Sequence, residues 1–406
     1  MVAPAHAGAA QGARAGARRT LIIVGSFPPP EAGNLGGGVL VSCRTLLAAG
    51  IGERFALRLV DSSQSLSDPP PLASRALAAV RRTLRFTAEV VRAPRPASAL
   101  IFLSEGLSFI EKSALAAVAR AGGLTVAVAP RGGGVKGELE RHAVMRLAAR
   151  VLVNCSDYVI CQGASWVELF SRYETGRGRR RRAGDGRPSR FVTLMNWTAT
   201  EEVLAIGRRR LAAAPPDGSG GSREPPARAG ELRVLYFGTL MRRKGIEEMV
   251  EGLALARERV PGIRLTIAGD GVDEEALRAR CRALGLGDEA VAFAGWVEGE
   301  AKLALFERAD CLCLASWSEG LPNAVIEAMA AALAVVATPV GGVPDAAPDG
   351  EVAIHVPARS PEAVAEAFVR LASDPALRRA LGARGHARAR AEFTAEHALR
   401  VFDELL

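Results

Sequence analysis

Two carboxylates at E-x7-E spacing, Glu319 and Glu327, bracket the segment Ser318-Glu319-Gly320-Leu321-Pro322-Asn323, which continues as an apolar helical pattern. Gly320 frees the backbone just before Pro322, whose fixed φ suits the first position of a helix expected over 322–332. The opening turn of such a helix has unpaired N–H groups and a positive dipole end, a natural seat for a diphosphate. Glu319 precedes the helix and Glu327 lies about one and a half turns inside it. Each can therefore accept hydrogen bonds from hydroxyls of a different sugar ring, one on either side of the phosphates. Taken singly, Glu319 would only complement the helix dipole and Glu327 would be an exposed helical carboxylate.

A second group strengthens the reading. In Phe237-Gly238-Thr239-Leu240-Met241-Arg242-Arg243-Lys244-Gly245 a strand ends at a glycine and a basic residue stands at the next helix start. Of 52 basic residues only Lys112, Lys136, Lys244 and Lys302 are lysines. A compact ammonium suits a pyrophosphate contacted as a point charge. Ala268-Gly269-Asp270-Gly271 reads as a strand-to-helix turn that lets backbone approach a ligand, a common feature taken alone. Near the N-terminus, Pro28-Pro29-Pro30 leads to Gly36-Gly37-Gly38 at a helix start; it reads either as a phosphate- or sugar-facing loop or as a plain flexible one. Arg131, in Pro130-Arg131-Gly132-Gly133-Gly134, follows a strand and is expected to face a cleft and contact a leaving phosphate or the acceptor as a catalytic residue.

The elements that must position these groups alternate along 406 residues, enough for two domains. Short apolar runs at 21–24, 57–60, 99–103, 124–129, 158–161 and 191–194 are separated by helical patterns. After a Pro/Gly/Ser-rich break at 214–230, the alternation restarts at 234–237. The fold expected is α/β: two Rossmann-like, doubly wound domains facing an interdomain cleft. Their bounds are 20–200 and 232–389, with a disordered tail over 1–19 and a linker over 201–231. The tail has no apolar run of signal-peptide length, and nothing reaches the roughly 18 apolar residues of a bilayer span, so the chain reads as cytoplasmic.

The formal net charge of +8 reflects an arginine habit more than a nucleic-acid patch, and at 5% aromatic content stacked single-stranded bases are disfavoured. The run Gly176-Arg-Gly-Arg-Arg-Arg-Arg182 falls between a helix and a strand, on the edge away from the cleft. It reads as a solvated loop, with adhesion to the inner membrane surface as the minority alternative. The six cysteines are scattered; Cys311 and Cys313 share a strand face but lack the further ligands of a metal site.

Over residues 232–345 the chain resembles the family-4 glycosyltransferases of the GT-B fold. The resemblance rests on the Gly238–Gly245 loop, Gly269-Asp270-Gly271, the Glu319/Glu327 pair and Thr338-Pro339-Val340-Gly341-Gly342-Val343-Pro344. It implies that Lys244 holds the donor diphosphate, Glu319 the hydroxyls of the transferred sugar and Glu327 the nucleotide ribose. Backbone amides around Gly320, Leu321, Pro322 and Asn323 would complete the seat, with Gly37 and Gly38 beneath it and Gly238, Thr239, Arg243, Gly269 and Gly271 around it. It further implies transfer with retention, no divalent metal or cofactor, a nucleotide-diphosphate sugar as co-substrate and a C-terminal helix within 390–406 crossing back onto the first domain. The acceptor would be a glycan or lipid-linked hydroxyl in cell-envelope, exopolysaccharide or glycolipid assembly.

The pattern departs from the family at three places. Thr239 stands where many members have arginine, removing one positive charge that Arg242 or Arg243 would have to replace. Arg131 stands where many have a cleft histidine. Ala332 and Ala334 replace a glycine and a proline, so a left-handed cap at Ala332 would cost about 1 kcal/mol. These departures keep two rivals open: a nucleotide-sugar binder without transferase activity, and a nucleotide-sugar epimerase on the same fold.

Overall fold

Runs of aliphatic residues with few charges become strands buried on both faces, and each is followed by a helix that returns the chain to the starting edge. The computed structural model describes residues 18–28, 37–63, 71–175, 189–213 and 229–406. The first sheet contains β1 (Thr20–Gly25), β2 (Ala56–Asp61), β3 (Ala97–Leu103), β4 (Thr125–Pro130), β5 (Tyr158–Cys161) and β6 (Phe191–Thr193). All pairings are parallel, in the order β2-β1-β3-β4-β5-β6.

The second sheet contains β7 (Glu231–Phe237), β8 (Gly262–Ala268), β9 (Val291–Gly295), β10 (Cys311–Leu314), β11 (Ala334–Ala337) and β12 (Ala353–His355). Its order is β12-β11-β10-β7-β8-β9, again parallel. The direction of winding reverses between β1 and β3 in the first sheet and between β7 and β10 in the second. Loops leaving the carboxyl ends of these strands diverge there and open a crevice.

One face of the first sheet is covered by helices Leu72–Arg92, Leu107–Ala121, Ala143–Cys155 and Ala164–Ser171, which bury Phe86, Phe109, Leu115, Leu152 and Phe170. The other is covered by Gly38–Ala48 and by the terminal helix Ala395–Leu405, which returns from the second domain and packs Phe402 against Trp197. Ser98 Oγ donates to the Leu406 carbonyl at 2.9 Å and fixes that return.

The expected linker over 201–231 is corrected over its first half. Glu201–Ala212 is a helix whose Val203, Leu204 and Ile206 are buried in the core of the second domain. Arg210 donates to the carbonyls of Ala331 and Phe306 at 3.1 and 2.9 Å. Acidic residues in its first turn and arginines in its last match the helix dipole, a signal overshadowed by the Pro/Gly-rich stretch that follows. The N-terminal tail to residue 17, residues 29–36 of the glycine-rich loop, the basic run at 176–182 and the break at 214–228 lie outside the described residues.

All six cysteines are free thiols, five of them buried, and burial pushes Cys43 and Cys161 up to about 12. Cys311 and Cys313 are both buried in β10. Among the described residues no group of three or more His, Cys, Asp or Glu could hold a metal ion.

Candidate active site

The second sheet's crevice is built by the loops after β7 and β10. After β7, Arg242–Lys244 forms a single 3-10 turn that ends at Gly245, with φ 66°. A Cβ on Gly245 would lie 1.9 Å from the Ala315 carbonyl oxygen, so only glycine lets this turn sit against the end of β10. That approach brings Lys244 Nζ to 2.6 Å from Glu319 Oε1, which also accepts from Ser316 Oγ at 2.8 Å. The Trp317 amide donates to the Arg243 carbonyl at 2.8 Å and locks the two loops together.

The following helix is Asn323–Ala330, which starts one residue later and ends two residues earlier than expected. Pro322 caps it with an extended ψ of 125° instead of opening its first turn. Among the described residues the amides of Asn323 and Ala324 have no partner, and Val325 bonds back to the Pro322 carbonyl. These free donors follow Glu319 by four and five residues in the same loop. The Thr338–Pro344 motif cradles the same loop, with the Gly342 amide donating to the Gly320 carbonyl at 2.6 Å.

Glu327 is 4% exposed, which overturns the view of it as a surface carboxylate. Burial raises its carboxyl above the usual range, against the pull of Lys302, whose Nζ lies 2.8 Å from Oε1. The Lys302 ammonium also sits 5.0 Å from the Phe237 ring centre, at the end of β7. Sequence reasoning missed Lys302, although the scarcity of lysine that singled out Lys244 applies equally to it.

The first domain meets this loop through Asn196, just beyond β6. Asn196 Nδ2 donates to the Leu321 carbonyl at 2.8 Å and to Asn323 Oδ1 at 2.7 Å. Its Oδ1 accepts from Arg131 Nη1 and Gln162 Nε2, both at 2.7 Å. Asn196 was also missed; its place past a strand's carboxyl end was the available signal. The expectation for Arg131 is corrected accordingly. Its guanidinium lies inside, 4.8 Å from the Trp197 ring centre and 5.9 Å from that of Phe102, with Nε and Nη2 buried and unpartnered. Burial lowers it to about 10. The ring faces of Trp197 and Phe102 draw the planar cation away from the open cleft.

The domains touch closely at this loop. A Cβ on Gly133 would lie 2.7 Å from the Glu319 carbonyl carbon, and Ser318 Oγ donates to the Gly133 carbonyl at 3.1 Å. Gly38 opens its helix with Asn323 Nδ2 3.7 Å from where its Cβ would be, and Gly37 caps that helix. Gly269 and Gly271 lie where two loops of the protein meet. Their Cβ positions lie 1.8 Å from the Gly238 carbonyl oxygen and 2.1 Å from that of Leu240, so they let two loops of the protein pack. Thr239 contributes its carbonyl, which accepts from the Tyr236 hydroxyl at 2.7 Å. Arg243 Nη1 reaches the Ser318 carbonyl at 3.5 Å, whereas Arg242 turns outward to the Trp317 ring and Glu247.

Two doubly wound domains with switch points facing across one loop form the GT-B architecture, and that loop carries a partly buried lysine–glutamate pair and free helix-start amides. Sucrose-phosphate synthase from Thermosynechococcus elongatus superposes with TM-score 0.68 at 20% identity, over 96% of this chain and 98% of that one. HepE from Anabaena in complex with UDP superposes with TM-score 0.63 at 15% identity, over 95% and 98%. At such identities the likeness is one of fold.

Residues 231–374, most of the second domain, match the family described as Glycosyl transferases group 1. The chain is 33% identical over 159 residues to a glycogen synthase of Mycobacterium tuberculosis, covering 39% of this chain and 38% of that protein. It is 31% identical over 237 residues to the GDP-mannose-dependent alpha-(1-6)-phosphatidylinositol monomannoside mannosyltransferase of the same species, covering 53% and 60%. The chain thus spans less than two thirds of either curated relative.

Proposed function

We propose that this chain transfers a sugar from a nucleoside-diphosphate donor to an acceptor hydroxyl, with retention of anomeric configuration and without a divalent metal. The observation that carries the reading is the Lys244–Glu319 pair on the loop that leads into the free amides of Asn323 and Ala324. A diphosphate docked at those amides neutralises part of its charge on the helix dipole and on Lys244. Lys244 is then drawn from Glu319, whose freed oxygens accept hydrogen bonds from the sugar. Glu327, held by Lys302 at the end of β7, receives the ribose. The rate gain comes from positioning and from stabilising the departing diphosphate. The acceptor is a glycan or lipid-linked hydroxyl, and the setting is cell-envelope or glycolipid assembly at the cytoplasmic membrane face.

UDP in the HepE structure and GDP-mannose in the mannosyltransferase's name make uridine and guanosine donors the first to try. In a thermal-shift panel of nucleotide sugars, the correct donor at about 100 times its Kd adds about 2.7 kcal/mol of stability. Lys244→Ala and Glu327→Ala each remove most of that shift while the apo proteins remain folded; an undiminished shift in both places the donor elsewhere. Release of nucleoside diphosphate only with acceptor present separates a transferase from a binder, and conversion of donor alone would mark an epimerase. Loss of turnover in EDTA would sink the metal-independent mechanism, and an inverted product anomer would sink retention.

A further inference from the structure

Large apolar side chains left in water gather on one face of the first domain. On the helix Leu72–Arg92, Leu77, Val80, Leu84 and Val91 are all exposed, Leu84 at 66% and Val91 at 77%. At 100° per residue they form one stripe, opposite the buried Phe86 and Val90. Leu107 opens the next helix at 53% exposure, and between the two helices runs a groove of 410 Å³. Val144 and Leu147 are exposed as well, on the helix Ala143–Cys155 that packs against Leu107–Ala121.

Helices of a parallel sheet begin at the carboxyl edge of the preceding strand, where the active-site cleft lies. Leu77 and Leu107 fall in the first two turns of helices that follow β2 and β3, so that end of the apolar face borders the cleft rim. The charges beside it are one-sided. Glu89 is engaged by Arg58 at 2.6 Å, and Glu111 by Arg82 and Lys112 at 2.5 and 3.1 Å. Arg81, Arg85 and Arg92 flank the stripe without an acidic partner among the described residues. No described helix is long and apolar enough to cross a membrane.

An exposed apolar stripe edged by uncompensated arginines complements an anionic lipid surface, in which the stripe enters the acyl boundary and the guanidinium groups meet phosphates. We infer that this face of the first domain, led by the helix Leu72–Arg92, docks on an anionic membrane and holds the cleft rim against it. The site differs from the basic run at 176–182 and does not depend on the transferase reading.

Flotation with vesicles tests it, using phosphatidylcholine alone and phosphatidylcholine with phosphatidylglycerol in equal parts. The wild-type chain floats with the mixed vesicles. Leu77→Ser/Val80→Ser/Leu84→Ser lowers the partition coefficient at least about a hundredfold. Arg81→Gln/Arg85→Gln/Arg92→Gln lowers it about fivefold per arginine at low salt and removes the preference for phosphatidylglycerol. Both variants retain the wild-type melting temperature and any nucleotide-induced shift, so failure here is distinct from failure of the proposed activity. No flotation of the wild-type chain would overturn the inference, as would a serine variant that floats undiminished, which would put lipid contact elsewhere. Self-association in gel filtration that the serine variant abolishes, with no flotation, would assign the face to a second copy.

Discussion

Lys244 Nζ sits 2.6 Å from Glu319 Oε1, although the two residues arrive on separate loops, one after β7 and one after β10. Their side chains are 16% and 9% exposed, so the pair is shielded well beyond a surface salt bridge. Ser316 satisfies the same carboxylate oxygen at 2.8 Å, which lowers the cost of removing the lysine. A double-mutant cycle with Lys244→Met and Glu319→Gln is expected to give a coupling of about 1–3 kcal/mol in urea denaturation. Additive single effects would show that the two side chains are not coupled in solution.

Glu327 makes stability depend on pH in the direction opposite to an ordinary salt-bridged carboxylate. Burial raises its folded value above the 4.5 of an unperturbed glutamate. Between those two values the native state binds more protons than the unfolded state, so stability falls as pH rises through the window. The deficit is complete above the folded value and absent below about pH 4.5. Glu327→Gln does not ionise. It is therefore expected to be more stable than the wild-type chain near neutrality, with the difference closing as pH is lowered. Urea midpoints of both proteins from pH 4 to pH 8 check this, and a difference that grows on acidification contradicts it.

Asn196 joins two groups of the first domain to two of the second, and it is 3% exposed. Asn196→Leu keeps the volume but leaves Arg131 Nη1, Gln162 Nε2 and the Leu321 carbonyl without that partner. At about 1–3 kcal/mol for each stranded group, partly relieved by relaxation, a loss of about 3 kcal/mol is expected. Asn196→Asp retains the acceptor for Arg131 and Gln162 but not the donor to Leu321 and Asn323. It should fold more stably than the leucine variant and still show a reduced nucleotide-induced thermal shift. Equal shifts in Asn196→Asp and wild type would remove Asn196 from the positioning of the helix start.

Ala332 has φ 56°, a left-handed conformation that an L side chain resists. The strain arises because the Asn323–Ala330 helix must turn sharply into β11, a place where glycine is usual. Ala332→Gly is expected to stabilise the protein by about 0.5–1 kcal/mol, the relief of strain exceeding glycine's extra unfolded-state entropy. A melting temperature that falls in this variant would show that the methyl group's burial outweighs the strain.

The amino-acid sequence alone determined the alternation of buried strands and helices, because period and turn chemistry are local properties of the chain. It also marked Lys244, Glu319 and Glu327, through a rare residue type and a fixed spacing around one helix start. Tertiary structure decided which of these meet. Lys244 reaches Glu319 only because Gly245 admits the backbone of Ala315, a contact between strands that are neighbours in the sheet but distant in sequence. Lys302 and Asn196 carry no local signature of their partners, Glu327 and the Leu321 carbonyl. Arg131 was placed at the right strand end, but two aromatic faces behind that strand turned its charge inward. Side-chain direction is set by whatever surrounds a residue in space, and sequence neighbours supply only part of those surroundings.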